Sequence, residues 1–287
     1  MKIKTQLRAK FSLLLIIFIF QFSYSQNYFE YYNLSNQADS LKYYKKYEEA
    51  SKKYEEAFSK VNFVHSDRYV KAGITAINLK NFELANSYFE KALTQSGNKS
   101  FYKMSEFKKN KKEFQYLIKN IQSLENKFLE NSNKIYRRKI DSLFLIDQNS
   151  RNNKTSTQEK DDSLFSTLVQ LIETNGFPSE ELVGIDSYDK AKIILHHNLR
   201  LDKNHNLLNE YFTKYVETGN YRPEDYAWVV EQNRIWFNNL KPLYYYVSST
   251  KALSDSEKLE INRKRREIGL KPIEAYKESN NSSVLLW

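Results

Sequence analysis

From residue 26 to Asn175 the chain carries two glycines, Gly73 and Gly97, and no proline. A fold that reverses direction every few residues needs such residues at its turns, so this stretch excludes a strand-and-turn architecture. Its richness in Lys, Glu, Leu, Ala and Tyr predicts helix instead. Pro178, Pro223, Pro242 and Pro272 all fall in the last 110 residues, where helices are expected between genuine turns. The chain reads as all-α, in two parts that meet around residues 130–140.

Within the first part, YEEASKKYEEA (47–57) and FELANSYFEKA (82–92) match at a shift of 35 residues. Tyr47, Ala50, Tyr54 and Ala57 fall on Phe82, Ala85, Phe89 and Ala92. This small–aromatic–small stripe lets a neighbouring helix approach and fills the gap between the two. A helix precedes each copy, with Leu34, Ala38 and Leu41 on the face of the first and Tyr69, Ala72, Gly73 and Ala76 on that of the second. The pattern resembles the tetratricopeptide (TPR) repeat, with a period near 34 residues. The resemblance covers residues 31–97 and implies TPR-like helical hairpins with a protein- or peptide-binding surface. Gln37-Ala38 stands where the first copy should have a small pair, and neither copy has the closing proline. The other reading is a packing module that presents the second part. Two units are fewer than the three or so a solenoid needs. A cap is expected from a long helix starting at Phe107, with Phe114, Leu117, Ile121, Leu124 and Phe128 on one face. KKNKK (108–112) falls opposite that face, as a solvated surface.

The second part carries an ordered series: IDQNSR (146–151), NGFPSEELVG (175–184), KIILHHN (192–198), YAWVVEQNR (226–234) and INRKRREIGLKPIEAY (261–276). As a set it resembles DUF6624, a family of uncharacterised bacterial domains, over residues 135–277. Asp147, Gln148, Arg151, Gly176, Pro178, Val183, Gly184, His197, Tyr226, Ala227, Arg265, Gly269, Leu270 and Tyr276 fall on the pattern. The family's acid–Arg pair is replaced here by Glu231-Gln232, and its Tyr-Gly-Thr-Gln turn by LYYYVSS (243–249). The resemblance implies a compact helical domain and no known activity. Local signals place helices at Ser163–Asn175, with Ser163 as cap and Gly176 as stop, and at Ser187 to about Leu199. Others are expected at Asn206–Thr218, from Pro223 to about Leu240, and from a Ser254…Glu257 capping box to Gly269. RKRR (263–266) suits a helix C-terminus, with one arginine able to face inward toward Asp147. Tyr226, Val229, Val230, Trp236 and Phe237 have the spacing of core residues.

Three of the four histidines lie between residues 196 and 205. On a helical wheel His197 joins the apolar arc of Ala191, Ile194, Leu195 and Leu199, while His196 falls beside Asp189 and Lys192 and is expected to face solvent. Adjacent histidines point about 100° apart, and no histidine stands one turn away, so no metal site is read here. His197 is expected to be buried or half-buried, either fixing the helix through a hydrogen bond or acting as an acid–base group with Asp147 or Glu231.

MKIKTQLRAK followed by FSLLLIIFIFQF and SYSQ has the form of a secretory signal peptide over residues 1–25, leaving Gln26 first. Those residues hold four of the 45 basic and none of the 35 acidic residues, so the net charge of +10 falls to +6 on cleavage. That excess is too small and diffuse for a nucleic-acid binder. With no cysteine, disulfides, thiol chemistry and cysteine-linked lipidation are excluded. Phosphate loops, nucleophile elbows and zinc-protease motifs are absent, and no cofactor is implied. The expected organisation is a leader (1–25), a repeat module (26–130), the helical domain (135–277) and a tail (278–287). The leading expectation is an exported, periplasmic or secreted, interaction protein whose repeats hold a protein or peptide, without stable membrane insertion. The alternatives are a hydrolase with Asp147, Arg151, His197 and Glu231 around one pocket, and an immunity or stress partner of another secreted protein.

Overall fold

The computed structural model describes residues 27–199, 211–247 and 253–273. The leader, His205, Tyr276 and the tail lie outside the described residues. Every regular element among those described is helical. No described helix is long and apolar enough to cross a membrane.

Two helical hairpins come first: α1 (Tyr28–Tyr43) with α2 (Tyr47–Phe58), and α3 (Ser66–Asn78) with α4 (Phe82–Ser96). Asn27 and Asn81 cap α1 and α4, their side chains accepting from the N–H groups of Glu30 and Leu84. Ala50, Tyr54 and Ala57 on α2, Ala72 and Gly73 on α3, and Ala85, Phe89 and Ala92 on α4 are all buried. Gly73 shows why the stripe is small: a Cβ there would lie 2.4 Å from the Phe89 ring. Phe89 in turn stacks on Phe101 at 4.6 Å between centroids.

The expected long helix from Phe107 is interrupted. A short α5 (Ser105–Lys109) and a 3₁₀ turn (Lys111–Phe114) precede α6 (Gln115–Asn131). The break lets Phe107 and Phe114 stack on each other at 4.6 Å while both meet Phe89 edge-on, closing the end of the repeat core. Lys108, Lys109, Lys111 and Lys112 are exposed.

The second core runs from Tyr136 to Leu270. It is built by α7 (Lys134–Asn152), α8 (Gln158–Asn175), α9 (Glu180–Leu199), α10 (Thr213–Glu217) and α11 (Pro223–Gln232), joined by Ile268 and Leu270 just after α12 (Asp255–Glu267). Several expected boundaries move. Thr157, not Ser163, caps α8, its hydroxyl accepting from the Lys160 N–H. Helix α9 begins at Glu180 and bends at Gly184, whose φ of 77° and ψ of 168° belong to a region that only glycine occupies readily. A Cβ there would also lie 2.2 Å from the Phe128 ring, so the bend seats α9 against the end of the repeat module. Helix α11 ends in a π turn, Asn233–Phe237, which leaves Trp236 62% and Phe237 41% exposed instead of in the core. The Ser254–Glu257 capping box is present at the start of α12.

The first helices of the two hairpins turn the same side to the second core. Tyr28 packs on Gly219 and Tyr32 on Gly269, each too close for a Cβ. The Asn36 amide donates to the Gly269 carbonyl at 2.8 Å. This side of the repeat module is therefore covered by the chain's own second domain.

Candidate functional site

Residues of the ordered series meet in two places. Asp147, Gln148 and Arg151 lie in the last turns of α7, and His197 lies near the end of α9. The nearly fully buried Asp147 carboxylate gathers them: Oδ1 is 3.1 Å from His197 Nδ1 and accepts from Arg151 Nε at 3.0 Å, and Oδ2 accepts from Gln148 at 2.8 Å. Arg151 also donates to Asp161 at the start of α8, at 3.0 Å. Burial opposes the Asp147 charge. The bonds from His197 and Arg151 outweigh it and hold the carboxyl at about 2. The ionised Asp147 accepts from Nδ1 of His197, which fixes the ring's orientation and turns Nε2 away from the carboxylate. The imidazole is half-buried.

Glu231 does not join this cluster. Its Oε1 accepts from the N–H groups of Leu243 and Tyr244, both at 2.7 Å, and its Oε2 is buried without a hydrogen bond. Burial pushes its carboxyl above the usual range, only partly offset by those two N–H groups. Arg265 is the inward arginine of RKRR, but it serves the same loop instead of Asp147: it donates to the carbonyls of Tyr244 and Lys271. Glu231 and Arg265 brace the segment that stands where the family turn was expected. Tyr226 is buried with its hydroxyl 2.8 Å from Thr213. Gly176 ends α8, its N–H bonded to the Ile172 carbonyl, and Pro178 is buried in the link to α9. His196 differs from expectation. It is half-buried, stacked on Trp228 at 4.6 Å and 2.9 Å from the Tyr221 hydroxyl, because α11 packs over the side of α9 that a single-helix wheel leaves open.

The second place lies between the modules and was not anticipated. Glu180, the first residue of α9, is 1% exposed. It accepts from the Ser66 N–H at the start of α3 at 2.8 Å, pairs with Arg222, and lies 3.4 Å from His65 Nδ1. The other His65 nitrogen is 3.0 Å from the Tyr32 hydroxyl. Burial opposes the Glu180 charge, but Arg222 and His65 hold its carboxyl well below the usual range. Beside this clasp opens a cavity of about 240 Å³. One wall is Asp39 of α1 with Arg68 and Lys71 of α3; the other is Arg222 and Glu224 at the start of α11 with Lys271 after α12. Asp39 Oδ2 takes Arg68 at 2.6 Å, Lys71 at 2.9 Å and Lys271 at 3.0 Å, while Tyr54 donates to Oδ1 at 2.5 Å. Arg68 reaches across to Glu224 at 3.0 Å.

Asp39, His65, Arg68, Glu180 and Arg222 gave no signal of their own in the sequence. Acids at the start of α9 are explained by the helix end alone. Among the described residues no His, Asp and Glu side chains group as a metal site. No family model, no curated protein and no solved structure matches the chain.

Proposed function

We propose that the protein is an exported two-module binding protein whose recognition site is the cavity between the repeat module and the second domain. The observation that carries this reading is the junction itself. Both modules send charged side chains into one cavity, and the pairs that cross it, Arg68–Glu224 and Lys271–Asp39, with the Ser66–Glu180 hydrogen bond beside it, fix the walls relative to each other. Ion pairs are directional, so they hold an orientation more strictly than apolar contact does. The repeats supply one wall, and what binds touches both modules. Export rests on the leader-like residues 1–25. The test is native mass spectrometry of the gently purified protein, with thermal-shift screening against polar small molecules. A small species retained by the wild type and lost in Lys71→Met is expected. A wild type that retains nothing, and that no compound stabilises, would sink the proposal.

One observation favours a second reading, a hydrolase-type enzyme: Asp147 orients the His197 imidazole through its Nδ1. His197→Ala should then abolish turnover of an ester or peptide substrate by at least about 100-fold with little change in melting temperature. A variant that unfolds, or one that retains all turnover, assigns His197 to packing.

A further inference from the structure

We infer that the interdomain cavity takes a small zwitterion of amino-acid size, its carboxylate on Lys71 and Lys271 and its ammonium on Glu224. The inference rests on the proposal that this cavity is the binding site, and it adds the chemistry of the ligand.

The argument begins at Asp39. Three cationic groups, from Arg68, Lys71 and Lys271, converge on its single oxygen Oδ2 within 3.0 Å. A carboxylate oxygen offers about two lone pairs, so three donors exceed what it can satisfy well. Each lysine ammonium has three N–H donors. Lys271 places one on Asp39, and the second acid near Lys71, Asp67, stands 3.6 Å away, beyond hydrogen-bond reach. Both ammonium groups are partly exposed in the cavity, with side chains 36% and 23% accessible. Cationic donors therefore outnumber acceptors around Asp39. The state of Lys271 agrees: burial first, then its neighbours Lys71 and Arg68, push its ammonium below the usual lysine range despite the pull of Asp39.

Across the cavity from Lys71, Glu224 has acceptor capacity to spare. Glu224 accepts from Arg68 on Oε1, which leaves Oε2 as an acceptor on a side chain 29% exposed. The neighbouring Asp225 is committed to Tyr188 and Lys192 and is no rival for a ligand ammonium. The charged side chains that line the cavity are four cationic and four anionic. A plain anion or cation would upset that balance, whereas a ligand with one charge of each sign keeps it. The volume of about 240 Å³ is the share of roughly eight liquid waters, which suits a molecule of amino-acid size and excludes a long peptide.

The experiment uses the full mature chain and isothermal titration calorimetry. The twenty free L-amino acids are screened first, and the tightest is compared with its N-acetyl and amide forms, with acetate and with inorganic phosphate. Binding of a free amino acid is expected, weakened at least about 10-fold by either blocking group, since a hydrogen bond to a charged group contributes about 1.5–3 kcal/mol. Lys71→Met and Glu224→Gln, each checked for fold by circular dichroism, should each weaken binding at least about 10-fold, with Lys271→Met as a second carboxylate-side variant. Acetate or phosphate binding as tightly as the amino acid overturns the zwitterion, as does amino-acid binding that all three variants leave unchanged. If no amino acid binds while native mass spectrometry still finds another small species retained, the cavity is a site and the ligand class is wrong. If nothing binds or is retained, both conclusions fail.

Discussion

Replacing Glu180 by glutamine removes one charge and little volume, and the structure says what should follow. Glu180 is almost wholly buried and carries an ion pair to Arg222, an acceptor for the Ser66 N–H, and a contact with His65. Glutamine can still accept from Ser66, so the α3 end keeps its partner. Arg222 does not: its remaining acid, Asp67, is 3.7 Å away, and its Nε has no hydrogen bond. Breaking a buried pair from one side costs about 3–5 kcal/mol, whereas an exposed pair contributes at most about 1 kcal/mol. Chemical denaturation separates the two cases. A loss above about 3 kcal/mol is expected, which for a chain of this size lowers the melting temperature by roughly 10 °C. Glu180→Gln combined with Arg222→Met should recover part of the loss, because the double variant leaves no orphaned charge. A single-variant loss below about 1 kcal/mol would refute the reasoning and mean that water reaches the pair.

The same residue fixes a pH dependence. The folded-state pKa of Glu180 lies below its ordinary value of 4.5, so its stabilisation is fully present above that pH and is lost as pH falls below it. The wild-type melting temperature should drop on acidification from about pH 4.5, and Glu180→Gln should lack that share of the drop.

Two other perturbations probe independent parts of the structure. Gly184→Ala places a Cβ against Phe128 at a backbone conformation that L-residues avoid, and should cost more than about 2 kcal/mol by urea denaturation. A neutral result would mean the α9 bend is relaxed in solution. Asp147→Asn should remove a share of the acid-side melting profile between about pH 4 and about pH 2, because the native carboxyl sits at about 2 and its stabilisation is lost as pH falls through that range. An unchanged profile would show that His197 and Arg151 do not hold the carboxylate.

What the sequence reveals here is what short-range physics determines. Helices follow from propensity and caps. The Ala–aromatic–Ala stripe follows from close packing, and Gly73 against Phe89 is that rule at one contact. His197 and Asp147, 50 residues apart, were expected as possible partners and do meet. Partners set only by how helices stack were not legible. His196 looks solvent-facing on the wheel of its own helix, and Trp228 from α11 covers it. Glu231 looks like a fourth member of the Asp147 cluster, yet it turns to a backbone loop 12 residues further on. The break before α6 was missed for the same reason: one apolar periodicity spans it, and only the aromatic cluster around Phe89 requires the chain to bend there.

The junction shows how the two hairpins are enclosed on more than one side. One end of the module is closed by the aromatic cluster and α6, and its remaining side is covered by the second domain. That cover combines two kinds of contact. Tyr28 and Tyr32 seat on Gly219 and Gly269 with no room for a side chain, which sets the separation of the modules. Between these contacts and the Glu180 clasp the charges are paired but not packed shut, and the cavity remains. A junction needed only for stability would be served as well or better by apolar side chains, since a buried ion pair replaced by well-packed hydrophobic residues is often neutral or stabilising. Charged residues around an open volume are therefore not what stability alone requires. Converting Asp39 to Leu and Arg68, Lys71, Glu224 and Lys271 to Met together removes one connected set of charges. This variant should match or exceed the wild type in thermal stability while losing the bound species. If it unfolds instead, the charges are structural and the cavity is incidental to them.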